Sequence, residues 1–254
     1  MYFGRGWGYY GRQIGAYQII GRVGAGRYGI CFMAEKDGAT VILKRLKPRA
    51  LKGDHGDNPK EAQILSGLCH PGIPKLLEVV AVTGFNGLAL EHKDGETIET
   101  MLFKHKHHFT EREICNIGAQ LIGIIRYLHE KGVVHRDIRI PNMLLDGAAL
   151  SLIDFGLAGW EDNASYRKGS DFSYLGDLLL YLLYSSYRKG KGKSRPWYEE
   201  LPLTPAQRLF LKRLLRMETP YPDIDAVAQD FQRAFGAGIS EKAIDSRGCI
   251  IVGS

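Results

Sequence analysis

Cysteine is scarce and scattered. Four occur in 254 residues, Cys31, Cys69, Cys115 and Cys249, and no two stand at C-x-x-C spacing. That argues against a disulfide framework or a zinc site and fits a reducing compartment. Long apolar runs are also missing. None approaches the roughly 20 residues that cross a bilayer. The most apolar stretch, Leu175 to Tyr184, is short and carries Asp177. No apolar signal-peptide segment opens the chain. A cytoplasmic protein without a membrane span is the expectation. Neither sign of charge dominates. With 34 Lys and Arg against 28 Asp and Glu, the net charge of +6 reads as ordinary solubility. No nucleic-acid partner is expected. Apolar residues make up 44% of the chain, enough for a full core.

Residues 1–16, rich in Gly, Tyr, Arg and Trp, have no apolar periodicity and read as a flexible arm. From Tyr17 to Lys44 the pattern predicts three strands: Tyr17 to Val23, Ile30 to Glu35, and Ala39 to Lys44 after the hairpin turn Asp37-Gly38. Pro59 to Leu68 has helical spacing. Two more strands, Leu76 to Thr83 and Leu88 to Glu91, flank a turn at Gly84-Phe85-Asn86-Gly87, and Asp94-Gly95 reads as a hinge. The remainder is mostly helical. Thr110 and Glu113 form a capping box, and Ile114, Ile117, Leu121, Ile124, Ile125 and Leu128 make one apolar face that ends before Gly132. Helices are predicted from Asp171 to Ser185, from Thr204-Pro205, and from Asp225 to Phe235; residues 237–254 read as a loose tail.

The chemistry concentrates in His135-Arg136-Asp137-Ile138-Arg139-Ile140-Pro141-Asn142, followed by Ile153-Asp154-Phe155-Gly156. Between them lie two short apolar runs joined by Asp146-Gly147, so a small hairpin would deliver these polar groups to one spot. One carboxylate is then placed to take a proton from a hydroxyl. The Asn and the second carboxylate suit Mg²⁺ held against nucleotide phosphates. Upstream, Gly24-Ala25-Gly26-Arg27-Tyr28-Gly29 is a G-x-G-x-x-G run. It is followed by a strand and not by the helix that a dinucleotide site needs. Val41-Ile42-Leu43-Lys44 ends an apolar strand on a cation.

H-R-D-x-x-x-x-N with D-F-G, the glycine run and the strand ending in Lys44 together resemble the protein kinase superfamily, over about Tyr17 to Phe235. The resemblance implies a bilobal α+β fold: an antiparallel five-stranded N-lobe sheet with helix C over residues 17–91, and a mainly helical C-lobe over 92–236. It implies ATP and Mg²⁺ as cofactors and a protein as substrate, the chain itself included. The nucleotide site would be lined by Val23, Gly24, Gly26, Tyr28, Gly29, Cys31, Lys44, Glu61, Leu90, Glu91 and His92. Glu61 stands where the family's helix C carries the partner of its Lys, ahead of His70-Pro71-Gly72-Ile73, and Leu90 stands at the gatekeeper position. Asp137, Arg139, Asn142 and Lys44 would be catalytic, with Asn142 and Asp154 on the metal. Asp171-Phe172-Ser173-Tyr174-Leu175-Gly176 is similar to the start of helix F, whose Asp bonds the backbone of the H-R-D loop.

Two departures matter. Only residues 157–170 separate Gly156 from Asp171, with no Ala-Pro-Glu, and Thr219-Pro220-Tyr221-Pro222-Asp223 stands where that motif's Arg partner is expected. Small bacterial kinase-like proteins of the serine/threonine type resemble this design. Arg139 replaces the Lys usual in serine/threonine kinases; it keeps the charge as a bulkier fork. Ser/Thr phosphorylation is the expected activity. An ATPase or small-molecule kinase is the first alternative, because the peptide platform is missing, and a pseudokinase binding module the second. The cluster Lys104-His105-Lys106-His107-His108 reads as a solvated basic loop. The run Arg188 to Arg195 reads as a flexible loop with docking of acidic partners as its alternative.

Overall fold

The computed structural model describes residues 10–25, 29–47, 60–162, 167–188, 193 and 195–236. The chain divides into two compact units, residues 1–93 and 94–254, so the boundary falls at Asp94, just past the expected one at His92. Among the described residues, no helix is long and apolar enough to cross a membrane.

The first unit is an antiparallel sheet with one helix. Its strands are β1 (Gln13–Ile14), β2 (Tyr17–Ala25), β3 (Gly29–Lys36), β4 (Ala39–Leu46), β5 (Leu76–Val82) and β6 (Phe85–Glu91), in the order β1-β2-β3-β4-β6-β5. Helix α1 (Lys60–Ser66) follows β4 in sequence. The sheet has six strands, not five. Gln13–Ile14 lies in the stretch read as an arm, and it folds back to pair with Tyr17 and Gln18 through a turn at Gly15, whose φ is 57°. Burial of Ile14 against Tyr17, Ile19 and Phe32 supplies the reason; a two-residue strand is too short to leave a periodic signal. Alternation does the rest, with Phe32, Ala34, Val41, Leu43, Val80, Phe85 and Ala89 closing one apolar cluster.

The β5–β6 turn is also tighter than expected. It is made by Thr83 and Gly84 (φ 82°), and β6 begins at Phe85. Gly87, expected in that turn, is a strand residue pairing with Val80 and Arg45. A Cβ there would strike the Lys44 carbonyl, so this glycine serves close strand approach and not turning.

The second unit is mainly helical: α2 (Ile98–Phe103), α3 (Glu111–Glu130), α4 (Gly169–Ser185), α5 (Trp197–Glu200), α6 (Pro205–Leu214) and α7 (Ile224–Phe235). Short strands β7 (Glu96–Thr97), β9 (Met143–Asp146) and β10 (Ala149–Leu152) form one small sheet, and β8 (Val133–Val134) with β11 (Gly159–Trp160) another. The capping boxes at Thr110/Glu113 and Thr204/Gln207 are both made, and Asp223 caps α7. Leu121, Ile125 and Leu128 of α3 are buried, as are Leu175, Leu179 and Leu182 of α4 and Phe210, Leu211, Val227 and Phe231 beyond them. Where the family's buried Arg was expected, the loop after α6 has its own clamp. Arg213 pairs with Asp230 at 2.7 Å, Tyr221 donates to the same carboxylate at 3.0 Å, and the guanidinium lies 3.9 Å from the Tyr221 ring centre.

Two glycines of α3 test this packing in opposite directions. A Cβ at Gly118 would come within 2.5 Å of the buried Phe231 ring, whereas one at Gly123 meets nothing within 4 Å. Gly118→Ala is expected to cost about 1–3 kcal/mol through overpacking. Gly123→Ala is expected to add up to about 1 kcal/mol from helix propensity alone. Thermal unfolding of the two variants checks both signs; equal shifts would refute the α3–α7 contact.

Candidate active site

In the first unit the site is built around one buried ion pair. Lys44 sits in β4, opposite Cys31 of β3 and Leu88 of β6. It is only 3% exposed and Glu61 only 6%. The Lys44 ammonium lies 2.6 Å and 2.7 Å from the two Glu61 carboxylate oxygens. Glu61 stands in the first turn of α1, where the helix dipole favours a negative charge. Each charge is stabilised here by the other; removing one would take a main partner from a buried charge, at about 3–5 kcal/mol.

The glycine-rich run is described only in part. Gly24 pairs with Cys31 next to a register shift at Val23, and Val23 is 56% exposed. Gly29 pairs with Leu46, and a Cβ there would press on the Arg45 carbonyl at 2.5 Å. Gly26 and Tyr28 lie outside the described residues. Leu90 is buried between Ile42 and Leu76. The Glu91 backbone N–H donates to the Lys75 carbonyl, and its carboxylate accepts from the Lys75 N–H at 3.0 Å and from Lys93 at 2.8 Å. Burial alone would raise this carboxyl, but those bonds outweigh it and hold it below the usual range. The Glu91 side chain is thus an anchor for its own strand. His92 is half-buried.

In the second unit, the loop from His135 to Asn142 is shaped from beneath. The fully buried Asp171 carboxylate, in the first turn of α4, accepts the His135 N–H at 3.0 Å and the Arg136 N–H at 2.8 Å. Its Oδ2 also lies 3.0 Å from Nε2 of the buried His129, near the end of α3. Arg136 holds a left-handed φ of 63°, and those bonds help to hold it there. The His135 ring packs edge-on against Phe155 at 4.6 Å and receives the Asp137 N–H at 3.3 Å. His135 therefore orients the loop. His129 was missed from sequence; its signal is a lone His continuing the apolar face of α3.

Asp137, 9% exposed, is the convergence point. Arg139 grips it with both prongs, Nε to Oδ1 at 2.6 Å and Nη2 to Oδ2 at 3.0 Å. Asn142 Nδ2 donates to Oδ2 at 2.8 Å and to the Asp137 carbonyl at 2.9 Å. The bond to Asp137 pushes the guanidinium pKa up, with smaller contributions from Asp154 and Tyr174. The Asn142 carbonyl accepts the Ile153 N–H at 2.8 Å, which ties the start of the Asp154 loop to this turn. Asp154 itself is left-handed, φ 65°, with Oδ1 accepting the Gly156 N–H at 3.2 Å. Asp137, Arg139, Asn142 and Asp154 are thus gathered by a short hairpin, β9–β10, whose register pairs Met143 with Leu152.

The donor chemistry bears on a metal. With both of its Nδ2 bonds spent on Asp137, Asn142 has its amide oxygen left as a ligand, and Asp154 adds a carboxylate. Among the described residues, no group of three or more His, Cys, Asp or Glu could hold an ion alone. Two hard oxygen donors fit Mg²⁺, which keeps waters and takes its remaining ligands from substrate phosphates.

A sequence model of the protein kinase domain matches residues 17–173. The chain belongs to the protein kinase family. This kinase is 36% identical over 227 residues to "Probable serine/threonine-protein kinase YbdM" of Bacillus subtilis, an alignment covering 86% of this chain and 89% of that one. It is 33% identical over 187 residues to "Probable casein kinase II subunit alpha homolog" of Encephalitozoon cuniculi, covering 69% and 54%. With "CTD kinase subunit alpha" of Schizosaccharomyces pombe it shares 34% over 147 residues, covering 56% of this kinase but 25% of that longer chain.

Proposed function

We propose that the chain is a serine/threonine protein kinase that transfers the γ-phosphoryl group of ATP to a hydroxyl on a protein, itself included, with Mg²⁺ as cofactor. Membership of the family and the names of its relatives support the reaction class. The observation that carries the residue roles is the Asp137 carboxylate, held between the Arg139 fork and the Asn142 amide.

In this reading Asp137 aims the substrate hydroxyl at the γ-phosphorus. As the new O–P bond forms, the bond to the β–γ bridging oxygen breaks, ADP leaves, and the hydroxyl proton passes to an Asp137 carboxylate oxygen. Arg139, whose side chain is 55% exposed, has room to balance charge on the transferring group while still orienting Asp137. Lys44, fixed by Glu61, anchors the α- and β-phosphates. Asp154 and Asn142 hold the metal, which when bound neutralises phosphate charge. Val23, Gly24, Gly26, Tyr28, Gly29, Cys31 and Leu90 enclose the nucleotide, and the backbone of Glu91 and His92 meets the adenine edge.

The test is incubation of the protein with γ-labelled ATP and Mg²⁺, first alone and then with a native lysate. Label on protein is the expected result. Label only in free phosphate would make the chain an ATPase, and label only in a metabolite a small-molecule kinase. Absence of turnover would leave a binding module.

A further inference from the structure

Away from the site just described, the second unit has a surface hollow of about 230 Å³ between the end of α2, the loop after it and the end of α4. Leu102, Phe103, Tyr181 and Tyr184 give it apolar walls, Lys106, His107 and His108 line it as well, and among the described residues no acidic one does. Phe103 is 55% exposed and Tyr181 51%, a high exposure for large aromatic side chains.

The hollow is built rigidly. The loop is bonded back to α2, with the Lys104 and His105 N–H groups on the Thr100 carbonyl and the His107 N–H on that of Met101. It is also stapled to α4. Phe109 N–H donates to Ser185 Oγ at 2.8 Å, Ser186 Oγ donates to the Phe109 carbonyl at 2.9 Å, and His108 contacts the Ser185 carbonyl. Neighbouring carboxylates already have partners. Glu96 meets His105, Glu113 serves the Thr110 cap and His107, and Glu200 accepts from Tyr184. Glu99 and Glu111 sit in the first turns of their own helices. Lys104 and Lys106 are exposed, and Arg188 continues the positive charge past the end of α4.

Size and charge select the occupant. Small-molecule sites run to about 300–1,000 Å³. This hollow is smaller and suits one or two side chains. A bonded-down apolar seat with Lys106 in its lining, and the exposed Lys104 and Arg188 next to it in the chain, is complementary to an apolar anchor flanked by carboxylates. Only fourteen residues separate Gly156 from Asp171, with no Ala-Pro-Glu among them, so affinity supplied away from that segment would benefit a protein substrate. We propose that this hollow docks an acidic, Phe- or Leu-anchored segment of a protein substrate. Only the word substrate rests on the kinase reading.

The experiment uses the full chain and a fluorescein-labelled peptide with one Phe between runs of Glu and Asp, followed by anisotropy. Its comparators carry Ala for the Phe, or Lys and Arg flanks. Wild type is expected to bind the acidic Phe peptide at least about ten-fold more tightly than either comparator, and less tightly as salt rises. Lys104→Glu/Lys106→Glu and, separately, Phe103→Ser/Tyr181→Ser are expected to weaken binding at least about ten-fold each, with the basal rate of labelled-phosphate transfer unchanged. Fusing the peptide to a generic protein substrate is expected to lower KM, with kcat unchanged, for wild type alone. Equal binding of all three peptides, or binding indifferent to both pairs of substitutions, would overturn the proposal. So would self-association that is lost in Phe103→Ser/Tyr181→Ser, which would give the hollow to a second copy. Anisotropy needs no phosphoryl transfer, so an inactive wild type that binds the peptide would refute the kinase reading and leave the docking site standing.

Discussion

Lys44→Met is expected to reduce phosphoryl transfer to below about a hundredth of wild type and, unlike a surface change, to destabilise the protein. Burial is the reason for the second effect. Lys44 is 3% exposed and its ammonium is held by both oxygens of a Glu61 that is equally hidden. Taking away the ammonium leaves a buried carboxylate with its main partner gone, at about 3–5 kcal/mol. Lys44→Met/Glu61→Met removes both charges and is expected to recover most of that stability while recovering no activity. Asp154→Ala, a half-buried loop position, is expected to match the activity loss with a smaller effect on folding. The check is turnover together with denaturant unfolding for all three variants. If the double variant regains turnover, or Asp154→Ala keeps more than about a tenth, the assignment of these residues to nucleotide and metal fails.

Asp137→Asn is expected to bind ATP within a few-fold of wild type and to turn over about 10²-fold more slowly or worse. The geometry says why the substitution is not silent in the ground state either. Asp137 accepts from two Arg139 nitrogens and from Asn142, so both of its oxygens face donors. An amide placed there must turn its NH₂ toward one of them. The lesser conflict is at Oδ1, which meets Arg139 alone. The guanidinium would then be displaced, at a local cost of about 1–3 kcal/mol for the unmet bond. Pre-steady-state measurement separates the steps: nucleotide affinity preserved and chemistry lost supports proton acceptance by Asp137, whereas equal loss of both would make it a structural residue.

Much of this was legible before any coordinates. The strand that carries Lys44, the strand ending at Glu91, the capping box at Thr110 and the helix ending at Ser185 each follow from period and turn chemistry. Asp137, Asn142 and Asp154 were legible for a different reason: a loop, a hairpin and a second loop confine few residues to a small space, so spacing nearly determines proximity. What escaped was set by contacts distant in sequence. Gln13–Ile14 became a strand because Ile14 fits beside Phe32, and Gly87 stayed in its strand because Lys44 crosses close by. His129 carries no motif; only its approach to Asp171, on another helix, gives it a role. The tight hold of Arg139 on Asp137 is likewise a matter of rotamer and not of sequence spacing.

The central claim is transfer of phosphate to a protein hydroxyl by Asp137 and its neighbours. Its most direct test is acid hydrolysis of the labelled protein after incubation of wild type and Asp137→Asn, side by side, with γ-labelled ATP and Mg²⁺. Phosphoserine or phosphothreonine in the wild-type hydrolysate, reduced about 10²-fold in the variant, is the expected result. Phosphotyrosine as the main product, or equal labelling of wild type and variant, would contradict it.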